Sequence, residues 1–217
     1  HYGTTGCRMH LDVRAGAVSS GGRKMPHDIR MGDIVETGAD ALSVGIKVEA
    51  AAPIERIDVM NGMRLVETLR TYDAKDLGKR LRILWQGAEY RGRGRNTRWS
   101  GEIGLSGAHV ERMEAINRWN PERKLELTGG NRIAFEAVTT GNFAGVDLRL
   151  DRWEGASMAI ATNLLEAGLQ LGSIGLEDVV FDAGGLERRI VVRRLPVAIA
   201  TIDVSNGALR PELHTLA

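Results

Sequence analysis

Residues 54–69 read IERIDVMNGMRLVETL, and their pattern decides the fold class. Ile57 and Val59 alternate with Arg56 and Asp58, the period-two signature of a strand with one buried face. Asn61-Gly62 then interrupts the run. That dipeptide favours the two positive φ angles of a type I′ turn, so the stretch is predicted to be a β-hairpin turning on Asn61 and Gly62.

The same alternation recurs outward in both directions. LSVGIKVEA (42–50) sets Val44, Ile46 and Val48 opposite Lys47 and Glu49. RLRILW (80–85) aligns Leu81, Ile83 and Trp85, and WSGEIGLSG (99–107) aligns Trp99, Ile103 and Leu105, with Gly101 read as a β-bulge. NRIAFEAV (131–138) aligns Ile133, Phe135 and Ala137. GVDLRLD (145–151) places Val146, Leu148 and Leu150 opposite Asp147 and Arg149. ERRIVVRRLP (187–196) ends at Pro196. Glycine interrupts the two segments that could hold helical turns, GDIVETGADALSVG (32–45) and TNLLEAGLQLG (162–172). The expectation is an all-β chain with little helix, an antiparallel sandwich or jelly-roll-like fold divisible into two packed subdomains. The first group of strands is set at 1–110, the second at 111–205 (a separate group or the other half of one sandwich), and a C-terminal tail at 206–217, with the final segment VAIATIDVSNGALRPELHTLA (197–217) read as adding an edge strand before it trails off.

Composition narrows the function. Twenty-nine basic residues against 28 acidic ones leave a net charge of +1, which gives no global grip on nucleic acid or an anionic membrane. No apolar run approaches a membrane-spanning length. Cys7 is the only cysteine, so no disulfide forms within the chain. None of this fixes the compartment.

No stretch has the spacing of a known catalytic motif. His1, His10, His27, His109 and His214 make no close ligand pair, so no metal site is expected. There is no G-x-S-x-G elbow, and Ser100 is read as lying on a strand edge. SSGGRK (19–24), TGGN (128–131) and DAGGLER (182–188) read as turns rather than phosphate loops. EYRGRGRNTRW (89–99) gathers Arg91, Arg93, Arg95 and Arg98 between Tyr90 and Trp99. A nucleic-acid segment is one reading. A hairpin loop whose arginines pair with Asp73, Asp76 or Glu89 is the favoured one. Within it, Arg93, Arg95 and Trp99 are the candidate ligand or interdomain contacts. The four tryptophans, Trp85, Trp99, Trp119 and Trp153, would make a carbohydrate platform if two lay exposed and coplanar, although core packing is the commoner use.

HYGTTGCRMHLDV (1–13) resembles the R-x-Y-[AG]-T-T-G-x-R-[IM]-x-L sequence of a large bacterial family whose members carry an N-terminal barrel similar to PHP metal-dependent hydrolases. RMGDIVE (30–36), APIERIDVMNG (52–62), RGRGRNTRWSGEIGLSG (91–107) and TTGNFAGVDL (139–148) resemble later elements of the family, over nearly the whole chain. The resemblance implies that this chain is the β-rich C-terminal region of a longer polypeptide. Its partner would be the upstream barrel in cis, with self-association a further possibility. The divalent metal and its His and Asp ligands would lie upstream, leaving no cofactor and no catalytic residue here. Thr4, Thr5 and Gly6 then mark the junction, Asn61 and Gly62 a hairpin, and Thr140, Gly141 and Asn142 a later turn. An apolar junction patch is expected around Tyr2 and Met9. A carbohydrate-binding sandwich and a hydrolase in its own right are the alternatives.

Overall fold

A computed structural model describes residues 9–18, 29–30, 32–34, 41–50, 54–62, 64–197 and the backbone of 213–214. Among them the chain is all-β, with two single-turn 3-10 segments at Ala74–Asp76 and Leu171–Ser173 and no α-helix. No helix of the described residues is long and apolar enough to cross a membrane. The chain divides into two compact units, one formed by 1–71 with 199–217 and the other by 72–198.

In the first unit, β1 (Met9–Val18) pairs antiparallel with β3 (Ala41–Ala50) along its full length, and β2 (Ile29–Arg30) joins the other edge of β1. β4 (Arg56–Asn61) and β5 (Arg64–Arg70) form the hairpin. Ile46 and Val48 are buried against Met9, Leu11, Val13, Ile57, Val59 and Leu69. Met9 is half-buried in this cluster, and Tyr2, Thr4, Thr5 and Gly6 lie outside the described residues. The hairpin turn differs in detail from its expected form. Asn61 is the last residue of β4, paired with Arg64, and Gly62 takes the left-handed conformation, at φ 59°. A bulge between Val59 and Met60 shifts the register by one residue.

The second unit is a sandwich of two five-stranded antiparallel sheets. Its strands are β6 (Arg80–Ala88), β7 (Thr97–Ser106), β8 (Val110–Ile116), β9 (Leu125–Thr128), β10 (Arg132–Thr139), β11 (Phe143–Leu150), β12 (Ser157–Thr162), β13 (Glu166–Gln170), β14 (Val179–Asp182) and β15 (Leu186–Leu195). One sheet runs β13-β12-β7-β10-β9 and the other β14-β15-β6-β11-β8. Strands from both sides of residues 106–112 thus share each sheet, so no domain boundary falls there; the division of the chain is at Thr71. The last strand, β16 (Leu213–His214), pairs with β3 in the first unit.

The alternating apolar residues meet between the sheets. Leu81, Ile83, Val146, Leu148 and Val192 from one face Trp99, Ile103, Ile133, Phe135 and Ile160 from the other, all essentially solvent-free. Trp85 and Phe135 stack across the interface, with centroids 4.1 Å apart and planes 13° apart. Edge strands β9, β13 and β14 are only four or five residues long, which limits the backbone they offer to another chain. Residues 166–170, inside the segment that left room for a helical turn, are strand β13. Its alternation of half-buried and exposed positions matches the register with β12.

Gly101 is not a bulge. β7 runs without a register break against both β10 and β12, and a Cβ at Gly101 would collide with the backbone of Ala161 and Thr162. The missing side chain is what lets β12 cross so closely. Gly101→Ala is expected to destabilise this unit by about 1–3 kcal/mol through overpacking. Gly104→Ala, three residues on with open space at the Cβ position, is expected to shift stability by no more than about 0.5 kcal/mol. Urea unfolding midpoints of the two variants provide the comparison.

The chain enters and leaves this unit through neighbouring backbone. Gly78 N donates to Leu195 O at 3.0 Å, and Arg194 Nε donates to Gly78 O at 2.9 Å.

Candidate functional site

Hairpin topology collects several loops of the sandwich at one pole. The β6–β7 loop (89–96), the β8–β9 loop (117–124), the β10–β11 turn (140–142) and the β14–β15 turn (183–185) all lie there. The β6–β7 loop owes its shape to Gly92 and Gly94, at φ 114° and 75°, and to Tyr90 Oη donating to Gly94 O at 3.2 Å. Arg93 and Arg95 project from it, exposed. Neither they nor Arg91 forms an ion pair among the described residues. Asp73 instead holds Lys75 at 2.9 Å and accepts from its backbone N–H.

Trp99 cannot be a contact residue. It is 1 % exposed in the core, and its Nε1 donates to Thr139 Oγ1 at 3.0 Å, while Thr139 Oγ1 donates to Gly87 O at 2.7 Å. The strand period that placed Trp99 in line with Ile103 and Leu105 is what buries it. Next to this relay, Thr140 N donates to Asn142 Oδ1 at 2.8 Å and Gly141 takes φ 98°, forming the β10–β11 turn. Ser100 lies exposed on a central strand, β7, rather than at a sheet edge, and its N–H donates to Asn163 Oδ1.

Three of the four tryptophans are core residues: Trp85, Trp99 and Trp153 are 3 %, 1 % and 2 % exposed. A platform of two coplanar exposed indoles is thus not formed. Trp119 is the exception at 79 % exposure, on the β8–β9 loop. That loop braces itself. Arg118 Nη2 donates to Pro121 O and Arg123 O, both at 2.7 Å. Asn117, at φ 50°, donates from Nδ2 to Phe143 O at 3.0 Å, and Asn120 Oδ1 accepts from Glu122 N. The guanidinium of Arg118 is therefore structural, and the loop presents Trp119 from a fixed frame.

Beneath this loop, where edge strands β8 and β9 leave the sandwich open, is a cleft of about 170 Å³. Trp85, Leu125, Ala137 and Ala144 give it an apolar floor, and Asn117, Trp119, Asn120, Arg123 and Glu136 rim it. A shallower groove over the outer face of β7 and β10 shares Asn120, Arg123 and Glu136 and continues to Arg98 and Ser100. Among the described residues the side chains of Arg123 and Glu136 have no hydrogen-bond or ion-pair partner. Trp85 Nε1 is buried and also unpartnered. None of this was legible beforehand: RWNPERK (118–124) carries no motif, and a strand pattern cannot say which edge a loop leaves open.

Among the described residues of the 72–198 unit, the histidine does not converge with these groups. His109 lies at the opposite pole, donating from its backbone N–H to Asp151 Oδ1 at 2.7 Å, and His10 is exposed on β1. The Asp151 carboxyl is held below its ordinary value, chiefly by that backbone hydrogen bond. Among the described residues no three His, Cys, Asp or Glu side chains come together as a metal site would need. Comparison of the chain with family models, curated proteins and solved structures finds no match.

Proposed function

We propose that this chain is a non-catalytic, β-rich accessory module of a larger metal-dependent hydrolase of the PHP-like kind, acting in cis on an upstream barrel. One observation carries the reading. The stretches that resemble the family's C-terminal region, RGRGRNTRWSGEIGLSG and TTGNFAGVDL, meet in the buried relay from Trp99 through Thr139 to Gly87. Gly101, in the first of them, is where β12 crosses. Their distinctive residues are thus spent on holding the sandwich together, as a scaffold requires. The cleft adds a binding surface and one carboxylate, Glu136, with no histidine, serine or cysteine in its lining. Acid–base or nucleophilic catalysis would ask for at least a second group within hydrogen-bond reach.

The test compares residues 1–217 with the longer polypeptide read from the open reading frame upstream, using p-nitrophenyl phosphate with Mn²⁺ or Zn²⁺. Metal-dependent turnover is expected from the longer polypeptide and none above background from residues 1–217. Chelator-sensitive turnover by residues 1–217 alone, or an upstream frame without a barrel, would overturn the proposal.

A further inference from the structure

We infer that the cleft under the β8–β9 loop binds a neutral oligosaccharide, with one sugar ring against Trp119 and its neighbours along the groove toward Arg98 and Ser100. The inference goes beyond the accessory-module reading and does not depend on the identity of the upstream partner.

Three features point to this chemistry. Trp119 offers a flat apolar face, 79 % exposed, on a loop already fixed by Arg118, so stacking a sugar's C–H face on it requires little further ordering. Trp85, 97 % buried, closes the cleft floor with Leu125, Ala137 and Ala144, an apolar base against which the C–H face of a sugar can rest. Finally, the rim carries both a free guanidinium, Arg123, and a free carboxylate, Glu136. An anionic ligand would face Glu136 unfavourably, and a cationic one Arg123. Uncharged hydroxyls both accept from Arg123 and donate to Glu136, so a polyol satisfies the pair together. The groove shares both residues with the cleft, which favours a chain of sugars over a single ring.

The experiment titrates the 217-residue chain with soluble pentasaccharides of glucose, mannose and xylose, and with penta-galacturonate as the acidic comparator. Calorimetry and tryptophan emission are the two readouts. Trp119 is the one well-exposed indole of the four, so binding is expected to shift emission to the blue with at least one neutral sugar. Trp119→Ala, a surface change, should weaken binding tenfold or more. Arg123→Ala removes the free guanidinium at the rim and should weaken binding about 3–10-fold. Unfolding midpoints check that both variants fold. The inference is overturned if no neutral sugar binds, if only the galacturonate binds and does so in a salt-dependent way, or if Trp119→Ala leaves neutral-sugar binding unchanged.

Discussion

Asp147→Ala is expected to lower the stability of the 72–198 unit by about 3 kcal/mol, read as a shift in the urea midpoint at pH 7. Asp147 sits on the outer face of β11 and yet is only 8 % exposed. It accepts two hydrogen bonds from Arg80, at 2.7 and 2.8 Å, and two from Arg82, at 3.0 and 2.7 Å. Alanine would leave two half-covered guanidinium groups side by side without the carboxylate that neutralises them. Their side chains keep about a fifth of their exposure, 18 % and 19 %, so water offsets part of the loss. Asp147→Asn keeps the shape but not the charge, and should fall between alanine and the native residue. The exposed Arg132–Glu102 pair offers a contrast: Glu102→Gln should cost no more than about 1 kcal/mol.

Asp147 also sets a pH dependence. Burial alone would raise its carboxyl, and the hydrogen bonds and charges of Arg80 and Arg82 more than offset this, leaving it below its ordinary value of 3.8. A carboxyl lowered in the folded state stabilises fully above the unfolded value. Its contribution is lost as pH falls from about 4 through the folded value. The native protein should therefore lose stability below pH 4 more steeply than Asp147→Asn does, in urea titrations between pH 6 and 2.5.

The second large effect is expected at Thr139. Thr139→Val is close to isosteric, yet it removes both the acceptor for Trp99 Nε1 and the donor to Gly87 O in a solvent-free core. Gly87 O keeps the N–H of Gly141, so the main cost is the orphaned indole N–H. A loss of about 2–3 kcal/mol is expected. Trp99→Phe removes that N–H along with part of the ring. If the relay is the energetic link, the double variant should be less damaged than the sum of the two by about 1 kcal/mol. Strict additivity would show that Thr139 and Trp99 contribute separately.

Period-two patterning was a good guide to the inward faces, because each strand has one face in the core and the alternation follows directly. Leu81, Ile83 and Trp85 are buried as their spacing implied, and so are Val146, Leu148 and Leu150. The outward faces were harder to read. Asp147 and Arg193 count as solvent-facing in a strand pattern, but both are 8 % exposed, since long arginine stems cover the outer face of β6, β11 and β15 and neutralise it through Asp147 and Asp178. The site was harder still. Tryptophan spacing says nothing of which indole a loop carries outward: Trp99, read as a contact, is in the core, and Trp119 is the exposed one. The cleft depends on which two edge strands a connection spans, a property of sheet order that local periodicity does not encode.

The hydrogen bond from Gly78 to Leu195 has an evolutionary reading. A folded body whose two ends are tied side by side can be spliced into almost any surface turn of a host without prising the host apart, and lost again just as cleanly. The 72–198 sandwich is therefore expected to behave as a portable cassette. Grafted between two adjacent strands of an unrelated carrier, it should keep its own melting transition and bring its cleft along.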